Sequence, residues 1–237
     1  MGIKEILVIL VVFLANIVEA ITGFAGTMLA MPFAITLLSI REAKVVLNVV
    51  AIFVSATLTF KNTGDVNTKE AIKISGLMLI GMLAGFILFS LFQTESLAKI
   101  YGMLILLVAL RGLLVKKEST LPGWLAIAVV LGAGVIHGMF LCGGSLLVIY
   151  AVSVLKEKAV IRATLAPVWV VLNVVILIQD VVANHFTSQT ILLSLLCLPM
   201  AALALFVGNQ LHKRIPQIFF IRLTYCLLIL SGLVLLV

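Results

Sequence analysis

The chain alternates long apolar stretches with short polar breaks. Ten apolar segments can be drawn along its 237 residues, and they are predicted at 5–20, 27–39, 43–60, 74–93, 98–115, 122–140, 145–155, 159–180, 189–207 and 218–237. A helix needs about 20 residues, at a rise of about 1.5 Å each, to cross a bilayer. Segments 27–39 and 145–155 are too short for that, so we predict broken or re-entrant half-helices there. Irregular backbone at membrane depth is tolerated only inside protein or beside a wet cavity, so both should face the interior.

A Gly-rich break precedes each short segment. The first is Gly-Phe-Ala-Gly-Thr at 23–27 and the second is Cys-Gly-Gly-Ser at 142–145. Each is followed by a short apolar run, a charged cluster and another long apolar segment. Two such interruptions in matching places of two halves point to the binding site of a transporter. Aligning Gly26 with Gly144 places Glu19 opposite His137.

The order of segments predicts the domain organisation. We expect a first transmembrane repeat over 1–117 and a second over 118–237, joined at 116–122 within one integrated membrane domain. Five segments per half is an odd number, so the two repeats should lie inverted to one another. The predicted fold is an all-α polytopic membrane protein with 8–10 helices in two inverted repeats.

Composition excludes a soluble domain. Hydrophobic residues make up 64% of the chain and charged residues 11%, and the mean hydropathy is +1.35. A soluble domain is about half apolar and about a quarter charged. The net charge of +7 indicates membrane topology here, and nucleic acid is not an expected partner.

The distribution of Lys and Arg predicts the orientation. Alternating the segment ends divides the sixteen basic residues into four on one side and twelve on the other. The smaller set is Lys4, Arg41, Lys44 and Lys99, and the larger is Lys61, Lys69, Lys73, Arg111, Lys116, Lys117, Lys156, Lys158, Arg162, Lys213, Arg214 and Arg222. The positive-inside rule puts the larger set in the cytoplasm and both termini outside the cell (plasma or inner) membrane.

The two loops are candidate anion sites. The first N–H groups of a helix have no partner within it and carry partial positive charge, which favours an anion. Hydroxyls of Thr27 and Ser145 could add donors, and no Lys or Arg interrupts the segments near either motif. The predicted substrate-binding residues are Gly23, Ala25, Gly26, Thr27, Cys142, Gly143, Gly144, Ser145, Asn48 and Asn173. The alternative is that these small residues only let helices pack closely and the amides only bridge helices.

Glu19 and His137 are ionisable residues predicted deep in the membrane. Glu19 lies about 20 Å along its helix from Glu5. A charge near the membrane centre costs about 2.5–3.5 kcal/mol on insertion scales, so such residues are functional candidates by default. We predict that Glu19 or His137 couples protons or gates the site. The alternative is a neutral side chain that hydrogen-bonds neighbouring helices together.

Enzyme motifs are missing from the sequence. Gly-x-Ser-x-Gly, His-Glu-x-x-His and a phosphate-binding loop do not occur. Cys142 follows His137 by five residues, but no third group orients the histidine as a Cys–His nucleophile would require. Three cysteines in apolar segments offer no disulfide framework and no metal spacing. We therefore predict no enzyme activity, no cofactor and no metal site.

At these motifs the chain resembles the sulfite exporter TauE/SafE family of membrane permeases. That family has two related halves, each with a Gly-rich loop, then a Pro, then an Ala-x-Thr-Ser-Leu-like element. Here Pro32 follows the first loop, and Ala-Thr-Leu at 163–165 resembles the second-half element. The chain departs where Ala25 thins the glycines, where Tyr150 replaces the second Pro, and where Asn48 replaces a Thr or Ser. The resemblance implies transport, usually export, of small sulfur-containing anions.

The sequence thus predicts a secondary transporter for small anions, with sulfite or organosulfonates as the expected class. Alternating access would move the anion, and proton coupling is a further hypothesis. Expected partners are the small anion, protons and the lipid bilayer, and a homo-oligomer stays open. Rival readings are a cation carrier that uses Glu19, a non-transporting membrane subunit or sensor, and an intramembrane enzyme that uses Cys142.

Overall fold

The computed structural model describes residues 2–91, 94–114, 122–155 and 157–212, and five single positions beyond them. Over these residues the chain is helical. The helices are α1 (Ile3–Thr22), α2 (Gly26–Leu37), α3 (Ile40–Lys61), α4 (Thr68–Leu91), α5 (Thr94–Leu114), α6 (Gly123–Phe140), α7 (Gly144–Leu155), α8 (Lys158–Val182) and α9 (Ser188–His212). The predicted joint at 116–122 and the predicted segment 218–237 lie almost wholly outside the described residues.

Six of the described helices, α1, α3, α4, α6, α8 and α9, are long and apolar enough to cross a membrane. The helices α2 and α7 have 12 residues each, which is too short for a full crossing. The all-α polytopic membrane fold predicted from the sequence is therefore confirmed, and so are its two short helices.

The helix order of the first half recurs in the second, and around the two loops equivalent positions are 118 residues apart. The starts of α2 and α7 differ by 118 residues, as do the starts of α3 and α8. Gly23 and Leu141, also 118 apart, end α1 and α6 in the left-handed conformation, with φ of 82° and 60°. Their N–H groups donate to the carbonyls of Glu19 and His137 at 2.7 and 2.8 Å, so both interruptions share one local geometry.

The third helices of the two halves, α3 and α8, run antiparallel. Asn48 of α3 donates its side-chain N–H to the carbonyl of Asn173 at 3.1 Å. At the other end, the backbone N–H of Asn67 donates to the hydroxyl of Thr164 at 3.0 Å. An inverted repeat requires this antiparallel pairing of equivalent helices. The inverted orientation and the boundaries 1–117 and 118–237 stay predictions.

Glycines let α4 and α6 approach backbone to backbone. A Cβ added at Gly138 would lie 3.2 Å from the Cα of Met82, and one at Gly85 would lie 3.2 Å from the Cα of Gly138. Such contact between small residues is a usual basis of helix association in membranes. For these glycines, which lie outside the loops, close packing is a sufficient role.

We expect Gly134→Val to destabilise the protein. A Cβ at Gly134 would lie 2.8 Å from the Cα of Met78, which belongs to the facing backbone and cannot turn away. Overpacking of this kind costs about 1–3 kcal/mol, so the melting temperature in detergent should fall. Gly76→Val is the control, since a Cβ at Gly76 meets nothing within 4 Å. Equal melting temperatures for the two variants would contradict the α4–α6 packing.

Candidate functional site

The two loops touch each other inside the protein. The hydroxyl of Thr27 donates to the carbonyl oxygen of Leu141 at 2.8 Å. A Cβ added at Gly144 would lie 2.7 Å from the carbonyl oxygen of Phe24, so only glycine fits there without a shift. The starting ends of α2 and α7 therefore meet.

A small cavity lies at this junction. Its lining residues come from both halves and are Glu19, Phe24, Thr27, Ala51, Ser55, His137, Leu141, Gly144, Trp169 and Asn173. Three pairs among them are 118 positions apart: Glu19 with His137, Ala51 with Trp169, and Ser55 with Asn173. The volume open to the centre of a water molecule is about 20 Å³, which is room for one or two waters. The cavity thus lies where equivalent surfaces of the two halves face each other.

Glu19 occupies the N-terminus of the first half-helix. Its side chain is buried, and one carboxylate oxygen accepts the N–H of Gly26, the first residue of α2. The partial positive charge of the α2 N-terminus stabilises a carboxylate there. Arg162 of α8 is close enough to interact with Glu19 electrostatically. The anion position predicted at this helix end is therefore taken by a carboxylate of the protein itself.

His137 is the equivalent residue of the second half and has different partners. It is buried, and its Nε2 lies 3.0 Å from the side-chain oxygen of Asn173. Because that oxygen can only accept, Nε2 must carry the proton. The imidazole also packs on Trp169, with ring centroids 5.3 Å apart. Its Nδ1 is buried without a hydrogen-bond partner and can accept a proton or a donor group.

Trp169 connects the cavity wall to the first loop. Its indole N–H donates to the carbonyl oxygen of Gly23 at 2.9 Å. The side chain is buried, in accordance with a position inside the protein and not at the lipid interface. Trp169 thereby fixes the loop that precedes Gly26 while its ring contacts His137.

The structure brings five of the predicted site residues to the cavity and places six of the others in or next to the two loops and one, Asn48, on α3. The five are Glu19, Thr27, His137, Gly144 and Asn173. The others are Gly23, Ala25, Gly26, Asn48, Cys142, Gly143 and Ser145. Ala25, for example, is buried and donates its N–H to the hydroxyl of Thr22 at 3.2 Å. Asn48 bridges α3 and α8, and its side-chain oxygen is buried without a partner.

The expectation that two hydroxyls donate to an anion does not fit this conformation. The Thr27 hydroxyl donates to Leu141, and the Ser145 hydroxyl donates to the carbonyl of Cys142 at 3.0 Å. A hydroxyl has a single proton, so neither can donate to a ligand at the same time. Both side chains therefore hold loop geometry here.

Two buried cations near the loops were missed in the sequence. Lys44 and Arg162 are only 4% and 7% exposed, although both looked like ends of apolar segments. They are 118 positions apart, and each is the fifth residue of its helix. Their separation by 118 positions is the feature of the sequence that could have identified them as equivalent residues. Asp180 is also buried, with its carboxylate 2.9 Å from Nδ1 of His185.

A larger crevice lies elsewhere, between α3 and α9. Its volume is about 350 Å³, and its lining includes Phe53, Leu205 and Phe206 beside Lys61 and Asn209. Phe206 is exposed, so this crevice opens to the surface of the described helices. We place the candidate site at the smaller cavity because ionisable and amide side chains converge there, which is typical of ligand sites.

Comparison with known protein families finds a match that spans nearly the whole chain. Residues 8–235 match the family model described as Sulfite exporter TauE/SafE, which takes in both loops and every cavity residue. The chain belongs to the TauE/SafE family. Membership makes it a membrane transporter of sulfur-related anions, in agreement with the prediction that it is not an enzyme. Neither a curated protein nor a solved structure matches the chain.

Within residues 2–91, 94–114, 122–155 and 157–212, no group of three or more His, Cys, Asp and Glu side chains lies together as it would in a metal site.

Quenchers in the lipid should reduce the fluorescence of Trp124 in this TauE/SafE protein strongly and that of Trp169 only weakly. Trp124 is 73% exposed on α6, whereas Trp169 is 6% exposed beside the cavity. In liposomes that contain brominated lipids, Trp124→Phe should leave a fluorescence that is quenched far less than that of the wild-type protein. The signal of the variant comes from Trp169 alone, since the chain has two Trp residues. Strong quenching of the variant would place Trp169 at the lipid and refute the site geometry.

Proposed function

We propose that this TauE/SafE protein is a secondary transporter that moves small sulfur-containing oxyanions or organosulfonates, such as sulfite, by alternating access. The observation that carries the proposal is the buried cavity where two half-helix ends meet, lined by Glu19 and His137. Helix N-termini favour anions, and transporters of repeated architecture bind substrate at the interface between repeats. The proposed partners are the anion, protons and the lipid bilayer of the cell membrane, with both termini on the outer side.

Substrate entry requires the cavity to widen. Its present volume suits one or two waters, whereas sulfite has four heavy atoms. Rocking of one half against the other would separate the Thr27–Leu141 and Phe24–Gly144 contacts, which join the loops across the cavity. We propose that these contacts close the site and that their separation opens it to one side of the membrane.

Proton coupling follows from the position of Glu19. Its carboxylate accepts a hydrogen bond from the Gly26 N–H. An incoming anion therefore competes with this carboxylate for the N-terminus of α2. Protonation of Glu19 removes its negative charge and releases that N–H. Proton binding and anion binding then favour each other, and both would cross the membrane in the same direction. The unpartnered Nδ1 of His137 is a second place for a proton in the same cavity.

The primary test is sulfite flux in proteoliposomes with an imposed pH gradient, and with sulfate and chloride as competitors. We expect flux that depends on the protein and accelerates when protons and sulfite share one direction of gradient. Gly144→Ala should slow this flux at least about tenfold, because its Cβ would force the loops apart, whereas Gly132→Ala should not. A Cβ at Gly132 meets only one flexible side-chain atom, at 3.9 Å. Wild-type flux in Gly144→Ala would refute the loop site.

Glu19→Gln should transport the anion without a coupled proton. The amide is permanently neutral, so the variant imitates protonated Glu19 in both charge and shape. Because sulfite itself takes up a proton in this pH range, the test uses an organosulfonate, whose charge stays constant. We expect its wild-type flux to rise as the pH is lowered from about 8 to about 6, and that of Glu19→Gln to change much less. The pH gradient should also stop driving the organosulfonate uphill in the variant. His137→Gln serves as the comparison, because it removes the other ionisable group of the cavity.

A retained pH dependence in Glu19→Gln together with its loss in His137→Gln would move the coupling to His137. Retention in both variants would refute proton coupling through the cavity, although it would leave anion transport standing.

A cation carrier is the second candidate, since a buried carboxylate lines the cavity. On that reading Glu19 would bind the cation directly, and Glu19→Gln would abolish transport of every substrate. Protein-dependent flux of sodium or a divalent cation, without sulfite flux, would favour it. A non-transporting subunit or sensor would instead bind the anion with no flux in any direction.

A further inference from the structure

The buried cations Lys44 and Arg162 have no role in the mechanism above, although burial of a charge in a membrane protein is costly. Charged side chains are therefore rare inside membrane proteins unless they function. Both are more than nine-tenths buried. Other cations of the described helices, such as Arg41 and Lys61 on α3, are exposed.

Lys44 belongs to the first half but lies against the last turn of α6, just before the second loop. Its ammonium donates to the carbonyl of Gly138, the residue after His137, at 3.0 Å and sits 4.2 Å from the ring centroid of Phe89. It also interacts electrostatically with Asp180 near the end of α8. One hydrogen-bonded carbonyl leaves donor capacity on an ammonium, which has three N–H groups.

Arg162 mirrors this arrangement against the first loop, although it belongs to the second half. Its side chain lies so near Gly23 that a Cβ there would be 3.0 Å from the Cγ of Arg162. One terminal nitrogen donates to the side-chain oxygen of Asn209 at 2.5 Å, and Nε is buried without a partner. Glu19 is its electrostatic partner. A buried guanidinium with an unpaired N–H is equipped to bind an oxyanion.

The two cations lie beyond the cavity in opposite directions. Each precedes a cavity-lining residue by two helical turns, Lys44 before Ala51 and Arg162 before Trp169, which is about 10 Å along the helix axis. Because α3 and α8 run antiparallel, these two distances extend in opposite directions from the cavity. Lys44 therefore stands on the side of the Asp180–His185 turn, and Arg162 on the side of Asn67.

We infer that Lys44 and Arg162 are anion-binding residues at the two entrances of the transport route, one serving each side of the membrane. The inference rests on the proposed function and deepens it. Each entrance combines a cation from one half with the loop of the other half or the helix turn before it, so relative movement of the halves would change both at once. The anion would be received by one cation, pass the cavity and be released beside the other.

The first test measures sulfite binding by the fluorescence of Trp169 in purified protein that carries Trp124→Phe. Lys44→Met and Arg162→Gln remove charge with little change of length, and each should weaken binding at least about tenfold. Lys44→Arg and Arg162→Lys keep the charge and should stay within a few-fold of the parent. Arg41→Met and Lys61→Met are matched controls and should bind as the parent does. Protection of Trp169 from brominated lipids shows that each variant remains folded.

The second test separates the two entrances. In right-side-out and inside-out membrane vesicles, Lys44→Met should raise the sulfite concentration for half-maximal flux from one face only, and Arg162→Gln from the opposite face only. A merely structural role would alter both faces equally and would not be rescued by a charge-preserving substitution.

The outcomes distinguish this inference from the proposed function. Wild-type protein that neither binds nor transports sulfite, sulfate or an organosulfonate would overturn both. If the wild-type protein transports sulfite and the sulfite affinity is unchanged in Lys44→Met and Arg162→Gln, only the inference about the two entrances is overturned. Equal loss in the charge-removing and charge-preserving variants would assign the two residues to packing and likewise overturn the inference.

Discussion

A helix interrupted inside a membrane must find partners for the backbone groups that it leaves open, because hydrocarbon offers none. In this protein the carbonyl groups of the equivalent residues Gly23 and Leu141 both need such a partner. In each case a residue of the opposite half supplies it. Trp169 donates to the carbonyl of Gly23, and Thr27 donates to the carbonyl of Leu141. Neither loop is therefore satisfied without the other half of the chain, and the cavity is the space left where these reciprocal contacts converge.

Hydrophobic length and loop composition were enough to predict the helices, the two short segments and the pairing of Glu19 with His137. The helices and the short segments depend on local sequence. The correspondence of Glu19 with His137 depends on the spacing of 118 positions between the two halves. The side-chain partners could not be predicted in the same way. Whether Ser145 donates to its own loop, or Arg162 turns inward, depends on contacts between residues far apart in the chain. Charge near a segment end usually indicates solvent, and that rule failed for Lys44 because the opposite half covers it.

The halves share a backbone plan but differ in chemistry at equivalent positions. Pro32 of α2 corresponds to Tyr150 of α7, and the tyrosine hydroxyl joins Glu70 and Lys73 of α4 at 2.6 and 2.7 Å. The second half-helix is thus tied to a neighbouring helix at a point where the first carries a proline. The carboxylate of Glu19 in one half likewise corresponds to the imidazole of His137 in the other. Symmetry of the backbone can supply two alternating conformations, while these differences can make one of them preferred.

Charge balance links the parts of the proposed mechanism. Around the cavity the chain buries the cations Lys44 and Arg162 and the carboxyl groups of Glu19 and Asp180. With both carboxyls ionised these four charges cancel, and a bound anion would leave one negative charge uncompensated. Protonation of Glu19 leaves one positive charge instead, and a monovalent anion restores neutrality. Burial of an unbalanced charge is unfavourable. On the proposed mechanism the proton and the anion are therefore each bound more tightly in the presence of the other, and this mutual dependence is what coupled transport requires.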